Sequence, residues 1–384
     1  MTFSTGKLRL QSYIGSAAFN LLSQADFCRS WDELHQACPW ATAFQSRAFA
    51  QNWYAVYAPI YEPWIVCGHD GRGRLAGLFL LALRRSPREL VHAGAHQAEY
   101  HVWIATPDHA DNFAEQALDH LAEMLPSASL RLLFLPGGAP LAWVDAGRRW
   151  ARRSSLRYFK RPLMRVGEGS QVEKSLRKKS NKSRLNRLEH IAPLRLEVLR
   201  TRREMELCFD QIIDYCDLRQ GAVNGNLPFR QDPLKKEFYL RLMEAPGLMH
   251  TSVLRLGNDM IAAHIGARDR TTVHLGLIAH SPFYANHSPG KLLLLLLGRQ
   301  LGQEGFRDLD LTPGGAYKDR FADHSDEVFV LDIFFRMRDV WRFRWRQRLA
   351  RGAKSVLTVA GITPDNARKR IDAVRRTLNK ATEI

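Results

Sequence analysis

The chain is short of cysteine, of long apolar runs and of acidic residues. Its five cysteines, Cys28, Cys38, Cys67, Cys208 and Cys216, are odd in number and widely spaced, so neither a disulfide framework nor a metal site is expected and the thiols are read as reduced. The longest apolar runs, such as Leu75 to Leu83, fall well below the roughly 20 residues of a membrane-spanning helix. The N-terminus carries Lys7 and Arg9 without a leader-like apolar core before Ser16, and a cytoplasmic protein is the expectation. Acidic residues number 39 against 56 lysines and arginines, for a net charge of +17. The deficit is local: Arg148 to Arg203 holds 19 Lys/Arg against four Asp/Glu, and Arg336 to Lys380 holds 14 against three. Basic elements attached to ordinary domains fit that distribution better than a uniformly cationic protein.

What is present is enough for two cores, since 384 residues with 45% apolar content exceed a usual single domain. The order of elements repeats. A helical region around Trp31 to Trp53 precedes two strands, Trp64 to Gly68 and Leu75 to Leu83, joined by the polar turn Asp70-Gly71-Arg72-Gly73. Later, a helical region from Met205 to Leu242 precedes Thr251 to Leu256 and Met260 to Ala267, joined by Gly257-Asn258-Asp259. Strand, helix and strand follow in both halves: Tyr100 to Ile104, Phe113 to Leu125 and Leu130 to Phe134, then Thr272 to Ile278, Leu292 to Gln303 and Leu309 to Leu311. Two tandem α/β units, each with its own mixed sheet, are expected. Between them Lys174, Lys178 and Lys182 recur every four residues beside Leu185, Leu188 and Ile191, which predicts a helix with a cationic face.

Residues 280 to 320 are the most informative stretch. The strand Thr272 to Ile278 leads to Ser288-Pro289-Gly290-Lys291 and then six leucines, where serine can cap a helix and proline suits its first position. Gly290 clears space and Lys291 adds charge, so the entrance from Ser288 to Leu292 can hold an anion such as a pyrophosphate. A turn, the strand Leu309 to Leu311, and Pro313-Gly314-Gly315-Ala316-Tyr317-Lys318 follow.

From Lys174 to Phe335 this order resembles the CelD/BcsL type of GNAT-like acyltransferase, related to the FemABX transferases. The resemblance rests on Tyr284 with Ser288-Pro289-Gly290 before a leucine-rich helix, the Glu-Gly-Phe-Arg-Asp-Leu-Asp turn and strand, and Gly-Gly-x-Tyr-Lys. It implies tandem GNAT-like units, mixed sheets flanked by helices, with units at residues 1–165 and 204–335, a basic linker helix at 166–203 and basic amphipathic helices at 336–384. It also implies an acyl-CoA donor, taken as acetyl-CoA and held by Tyr284, Ser288, Gly290, Lys291 and Leu292. At the donor loop this chain departs from the glycine- and base-rich loop of ordinary GNAT enzymes, so an aminoacyl-tRNA donor stays open.

Acyl transfer to an amine needs a polarised carbonyl, an acceptor for the amine proton and often an acid for the leaving group. GNAT-like enzymes often place a tyrosine near the leaving thiolate, and by resemblance Tyr317 takes that role. Asp310, a carboxylate within an apolar strand, is a base or acceptor-binding candidate. His264 and His274, on strands near the expected cleft, are further candidates, His264 as a base and His274 as a substrate-binding group. Lys318 suits a phosphate or carboxylate, and Arg219 the acceptor side.

The tail from Met337 to Arg351 interleaves Trp341, Phe343, Trp345 and Leu349 with arginines, a pattern that suits an anionic membrane surface, RNA, or packing on the domain. The leading expectation is an acyltransferase acting on an amine or hydroxyl of a sugar-linked or envelope- and polysaccharide-associated acceptor, peripheral at the inner membrane face. A tRNA-dependent FemABX-like transferase and a nonenzymatic polysaccharide-assembly protein are the alternatives.

Overall fold

The computed structural model describes residues 6–359. Its first half runs β1 (Arg9–Ile14), α1 (Ser16–Leu22), α2 (Ala25–Ala37), α3 (Arg47–Tyr57), β2 (Tyr61–His69), β3 (Leu75–Arg84), β4 (Glu89–His92) and β5 (Ile104–Ala105). Helix α4 (Ala110–Met124) and strands β6 (Ser129–Leu135) and β7 (Ser154–Arg165) complete it. Two short helices, α5 (Gln171–Arg177) and α6 (Lys179–Glu189), lead to β8 (Leu194–Leu199), α7 (Arg202–Asn224) and α8 (Lys235–Glu244). Then come β9 (Met249–Leu256), β10 (Asp259–Ala267), β11 (Thr272–His274), β12 (Leu277–His280), α9 (Pro289–Gln303), β13 (Asp308–Asp310), β14 (His324–Phe334) and α10 (Met337–Val359).

The mixed α/β character with flanking helices is as expected, but the strands form three sheets where two self-contained ones were anticipated. One is β1-β2-β3-β4 with β5 on β3, a second is β12-β10-β9-β8, and the third is β11-β13-β7-β14-β6. The third takes β6 and β7 from the first half and the rest from the second. Strand β7 lies antiparallel between β13 and β14, in register from Leu163 opposite His324 to Ser154 opposite Ile333. Its basic residues explain part of the local positive charge and its neutralisation: Arg161 binds Asp326, and Arg157 meets Asp332 at 3.2 Å.

Local chemistry accounts for the elements that frame the site. At the β2–β3 turn the Asp70 carboxylate accepts the N–H groups of Arg72 and Arg74, both at 2.9 Å, closing an Asx turn. Leu292 to Leu297 are all buried, so the middle of α9 is apolar all round and packs between the β8–β12 sheet and α5. A Cβ on Gly302 would fall 2.3 Å from the Gly167 Cα, and only glycine permits that crossing.

The expected helix Lys174 to His190 breaks at Lys178, whose ψ of 134° is extended. The expected strand Tyr100 to Ile104 is mostly loop, pairing only at Ile104–Ala105. The strand anticipated over Thr272 to Ile278 divides at Leu275-Gly276: β11 stays beside β13, whereas β12 crosses to β10. Two glycines permit the division. A Cβ on Gly276, at φ 48°, would meet the Ile265 carbonyl at 2.3 Å, and one on Gly266 would meet the His274 carbonyl at 1.8 Å. Of the anticipated C-terminal helices α10 is described, packing Val340 inward and Phe343 against Phe334; residues 360–384 lie outside the described residues.

Candidate active site

Where β12 parts from β13, a cleft of about 580 Å³ opens, within the size range of ligand sites. Ile278 and His280 of β12 form one wall, and Tyr317, Arg320 and Phe321 after β13 form the other. The first turn of α9 closes the base, Ser175, Lys178 and Asn181 the rim, and Arg219 of α7 enters from the side, its guanidinium donating to the Ile278 carbonyl at 3.0 Å. Among residues anticipated from sequence, the cleft gathers Ser288, Gly290, Lys291, Arg219 and Tyr317. Leu292 is buried in the core beneath it, and Tyr284 turns away, donating to Asp259 at 3.0 Å.

The helix entrance differs from the serine cap read in the sequence. Ser288 adopts a left-handed conformation, φ 56° and ψ 55°, with no side-chain cap; its carbonyl accepts from the N–H groups of Lys291 and Leu292 at 3.0 and 3.2 Å. A non-glycine residue in that region stores strain of the kind found at functional sites. The first turn contains no acidic residue. Burial lowers the Lys291 ammonium below its usual range, and Arg184, Lys178 and Arg320 push it down further. Unneutralised cations around the positive end of a helix make an anion site. Gly290 keeps it open, since a Cβ there would lie 3.0 Å from the His280 ring.

At the end of β13, outside the lining of the cleft, the charges are tightly paired. Asp310 accepts from the Tyr100 hydroxyl at 2.6 Å, His274 Nδ1 at 3.1 Å and the Thr312 N–H at 2.7 Å, with Arg161 at 3.6 Å. Burial would raise its carboxyl, but His274, Arg161 and Tyr100 hold it below the usual range. His274 also contacts Asp269 at 2.8 Å through Nε2. Burial opposes its charge, yet the two carboxylates raise it to about 10, so His274 is an imidazolium at neutral pH with both nitrogens committed. His264 lies behind it in the core, Nε2 at 3.3 Å from the His274 carbonyl, and burial pushes it down to about 3. Neither histidine is brought into the cleft.

Asp310 fixes Thr312, at φ 59°, whose carbonyl and hydroxyl accept from Lys318 Nζ at 3.1 and 2.8 Å, and so sets the turn that presents Tyr317 and Lys318. Burial lowers the Lys318 ammonium, while Glu99 and Asp310 support its charge.

Several residues here escaped sequence reasoning. Lys178 and Arg320 gather at the helix entrance, His280 lines the wall, and Glu99, Tyr100 and Arg161 come from the first half. Lys178 stood in a noted row of lysines; for Glu99 no local signal existed, because its neighbours lie far along the chain.

Residues 175–321 match the family model of an acetyltransferase (GNAT) domain. No curated protein matches the chain by sequence. Among solved structures the chain is similar to FemX, at 9% identity over 82% of this chain and 98% of that one, with a TM-score of 0.55. It is also similar to the C-terminal (DUF2156) domain of a protein described as a lysylphosphatidylglycerol synthetase from Agrobacterium fabrum, at 11% identity, 80% and 91% coverage and a TM-score of 0.49. A tandem GNAT protein from the clavulanic acid biosynthesis pathway gives 11% identity, 84% and 98% coverage and a TM-score of 0.47. At such identities the likeness is one of fold. The chain carries a GNAT acetyltransferase domain on a GNAT-like α/β fold and is an acyltransferase.

Proposed function

We propose that the cleft binds an acyl-CoA, with its pyrophosphate on the first turn of α9 and its thioester near Gly276, and transfers the acyl group to an amine or hydroxyl. The observation that carries this reading is the cationic, uncapped entrance of α9 at the mouth of the gap between β12 and β13. A donor anchored there runs along the four residues of β12, roughly 13 Å at strand spacing, and ends at the crease with Lys318 and Tyr317 nearby. Attack of the acceptor on the carbonyl carbon forms the new bond as its N–H or O–H proton is lost to a base or water, the C–S bond breaks, and Tyr317 donates its hydroxyl proton to the thiolate and regains one from solvent. Lys318 offers positive charge to the carbonyl oxygen.

A sugar-linked or envelope-associated acceptor is favoured by α10. Trp341, Trp345 and Leu349 are exposed beside Arg342, Arg346 and Arg348, a face suited to the anionic inner surface of a membrane; among the described residues no helix is long and apolar enough to cross one. A second reading, transfer from aminoacyl-tRNA, draws on the surface beside the same cleft, where Arg177, Lys179, Lys182 and Arg187 line a shallow groove.

Melting temperature with acetyl-CoA, longer acyl-CoA or aminoacyl-tRNA separates the donors, because a ligand of the native state raises it. Acetyl-CoA is expected to stabilise the protein, and Gly290→Val, folded but with the entrance crowded, to lose that response. An unchanged acetyl-CoA response in Gly290→Val places the site elsewhere, and stabilisation by aminoacyl-tRNA alone selects the second reading.

A further inference from the structure

We infer that Glu99, contributed by the first half of the chain, takes the proton of the acceptor as the new bond forms. This rests on the acyltransferase cleft proposed above. Glu99 sits at the crease: the Gly276 backbone, His274, Asp310 and Lys318 all act on its carboxyl, and Tyr239 of α8 borders it from behind. Its Oε2 is sealed from solvent with no hydrogen-bond partner, while the residue as a whole keeps partial exposure.

The other carboxylates of this region are spoken for. Asp310 is held by Tyr100, His274 and Thr312, and Asp269 by His274 and the Ala43 N–H at 2.6 Å. An unsatisfied buried oxygen is a liability in a structural role, and the partner missing from the fold is one an entering amine or hydroxyl supplies. The loop that carries Glu99 is rigidly placed. Gln97 bonds Trp53 and Asp232, the Tyr100 carbonyl accepts from Gln45 at 2.8 Å, and the His101 N–H donates to the Leu133 carbonyl at 2.9 Å. Such preorganisation is what a reacting group requires and a solvent loop does not. Burial raises Glu99 to about 7, with Asp310 adding to the rise and His274, Lys318 and the Gly276 backbone opposing it, so the carboxylate can accept a proton near neutral pH and return it. His280 is the histidine near the donor path, but it packs over Gly290 at the anion end, the length of β12 away from the crease.

The acceptor lone pair attacks the thioester carbon, its N–H or O–H proton passes to Glu99 Oε2, the C–S bond breaks, and the CoA thiolate leaves to be protonated by Tyr317 or water. Glu99 then releases its proton to solvent.

Glu99→Gln tests this with acetyl-CoA as donor, glucosamine and n-butylamine as acceptor probes, and thiol release as readout. Acetyl-CoA affinity is expected to stay within about twofold, turnover to fall on the order of 10²- to 10⁴-fold, and the acid limb of the wild-type pH profile, inflecting near 7, to vanish. The variant should melt no lower than wild type at pH 8, because burial disfavours the Glu99 charge by more than His274, Lys318 and the Gly276 backbone favour it, and the substitution removes that charge; a structural carboxylate would give the reverse. Carboxyl 13C NMR, with Glu99 assigned by its absence in Glu99→Gln, needs no acceptor. A midpoint near 7 supports the proposal, and a midpoint below 5, or wild-type turnover with an intact acid limb, overturns it. Failure of wild type to bind acetyl-CoA removes the cleft reading instead, and is visible before any comparison of the two proteins.

Discussion

The tetrapeptide Pro-Gly-Gly-Ala ends a strand in both halves, at residues 136–139 after β6 and 313–316 after β13. In the second copy Tyr317-Lys318 follows, with Tyr317 lining a cleft; in the first Pro140-Leu141 follows, and neither side chain can transfer a proton. Each copy comes after a non-glycine residue with positive φ, Phe134 at 48° and Thr312 at 59°. The helix entrances diverge in the same way. At α4, Asp111 in the first turn accepts the Ala142 N–H at 2.8 Å, and the Phe113 ring lies so close to Gly68 and Gly77 that Cβ atoms there would approach it to 2.8 and 2.3 Å. The neighbouring hollow carries Asp26, Glu33 and Asp108. At α9 there is no first-turn acid, and Lys178, Lys291 and Arg320 converge. One half has filled its entrance with its own carboxylate and ring; the other leaves its entrance open and cationic. The closed half is still needed, since it supplies β6, β7 and the loop bearing Glu99 and Tyr100.

The largest effect that would sharpen this contrast is at Tyr317. Tyr317→Phe keeps the ring and removes the hydroxyl, so turnover is expected to drop on the order of ten- to ten-thousand-fold with acetyl-CoA affinity unchanged. Full turnover in this variant would leave the two Pro-Gly-Gly-Ala turns chemically alike. Next comes Lys291→Glu, which makes the α9 entrance resemble that of α4. A charge-assisted contact contributes about 1.5–3 kcal/mol, so acetyl-CoA affinity should weaken by about 100-fold with little change in melting temperature, as calorimetric titration would reveal.

A smaller effect separates the halves by pH. In the first half burial pushes His92 down to about 4 and His101 well below its usual range, and in the second His264 falls to about 3. These sites bind protons only on unfolding, so their contribution is complete above about 6.5 and is lost as pH falls toward 4. His274 has the opposite sign. Raised to about 10 by Asp269 and Asp310, it stabilises fully below about 6.5 and that contribution is lost as pH climbs through 10. Melting temperature should therefore decline on both sides of neutrality. In His274→Gln, destabilised overall by the carboxylates left unpaired, the alkaline decline should flatten while the acid decline persists; an unchanged alkaline limb would mean that His274 is not charged in the fold.

How much of this was legible depended on sequence distance. Helix α9 and the β2–β3 and β9–β10 hairpins carry their evidence locally, in a leucine run and in turns at Asp70 and Gly257. Strands β7 and β14 do not. Arg157 and Arg161 read as part of a basic stretch until Asp332 and Asp326, more than 160 residues away, are placed beside them. The same holds for the site: Ser288, Gly290, Lys291 and Tyr317 share a recognisable order, whereas the Tyr100–Asp310 bond spans 210 residues. His264 and His274 looked reactive as lone histidines on strands, and only burial and the two carboxylates show why one stays neutral and the other stays charged. The break at Gly276 was hidden because the close approach to the Ile265 carbonyl, which only glycine tolerates, involves a strand that must already be paired.

The smallest effect is at Asp111. Its carboxylate sits in the first turn of α4, where the helix dipole favours negative charge, and holds the Ala142 N–H. Asp111→Ala should destabilise the protein by about 1 kcal/mol, the usual loss for a partly exposed helix-end contact, read as a lower urea midpoint at unchanged slope. Acetyl-CoA should still bind with a stoichiometry of one and unaltered affinity, because the Phe113 ring and the acidic hollow continue to exclude an anion from that entrance. A second acetyl-CoA bound to Asp111→Ala would show that a single carboxylate separates the two halves. The distinction between a filled entrance and an open one would then reduce to that one charge.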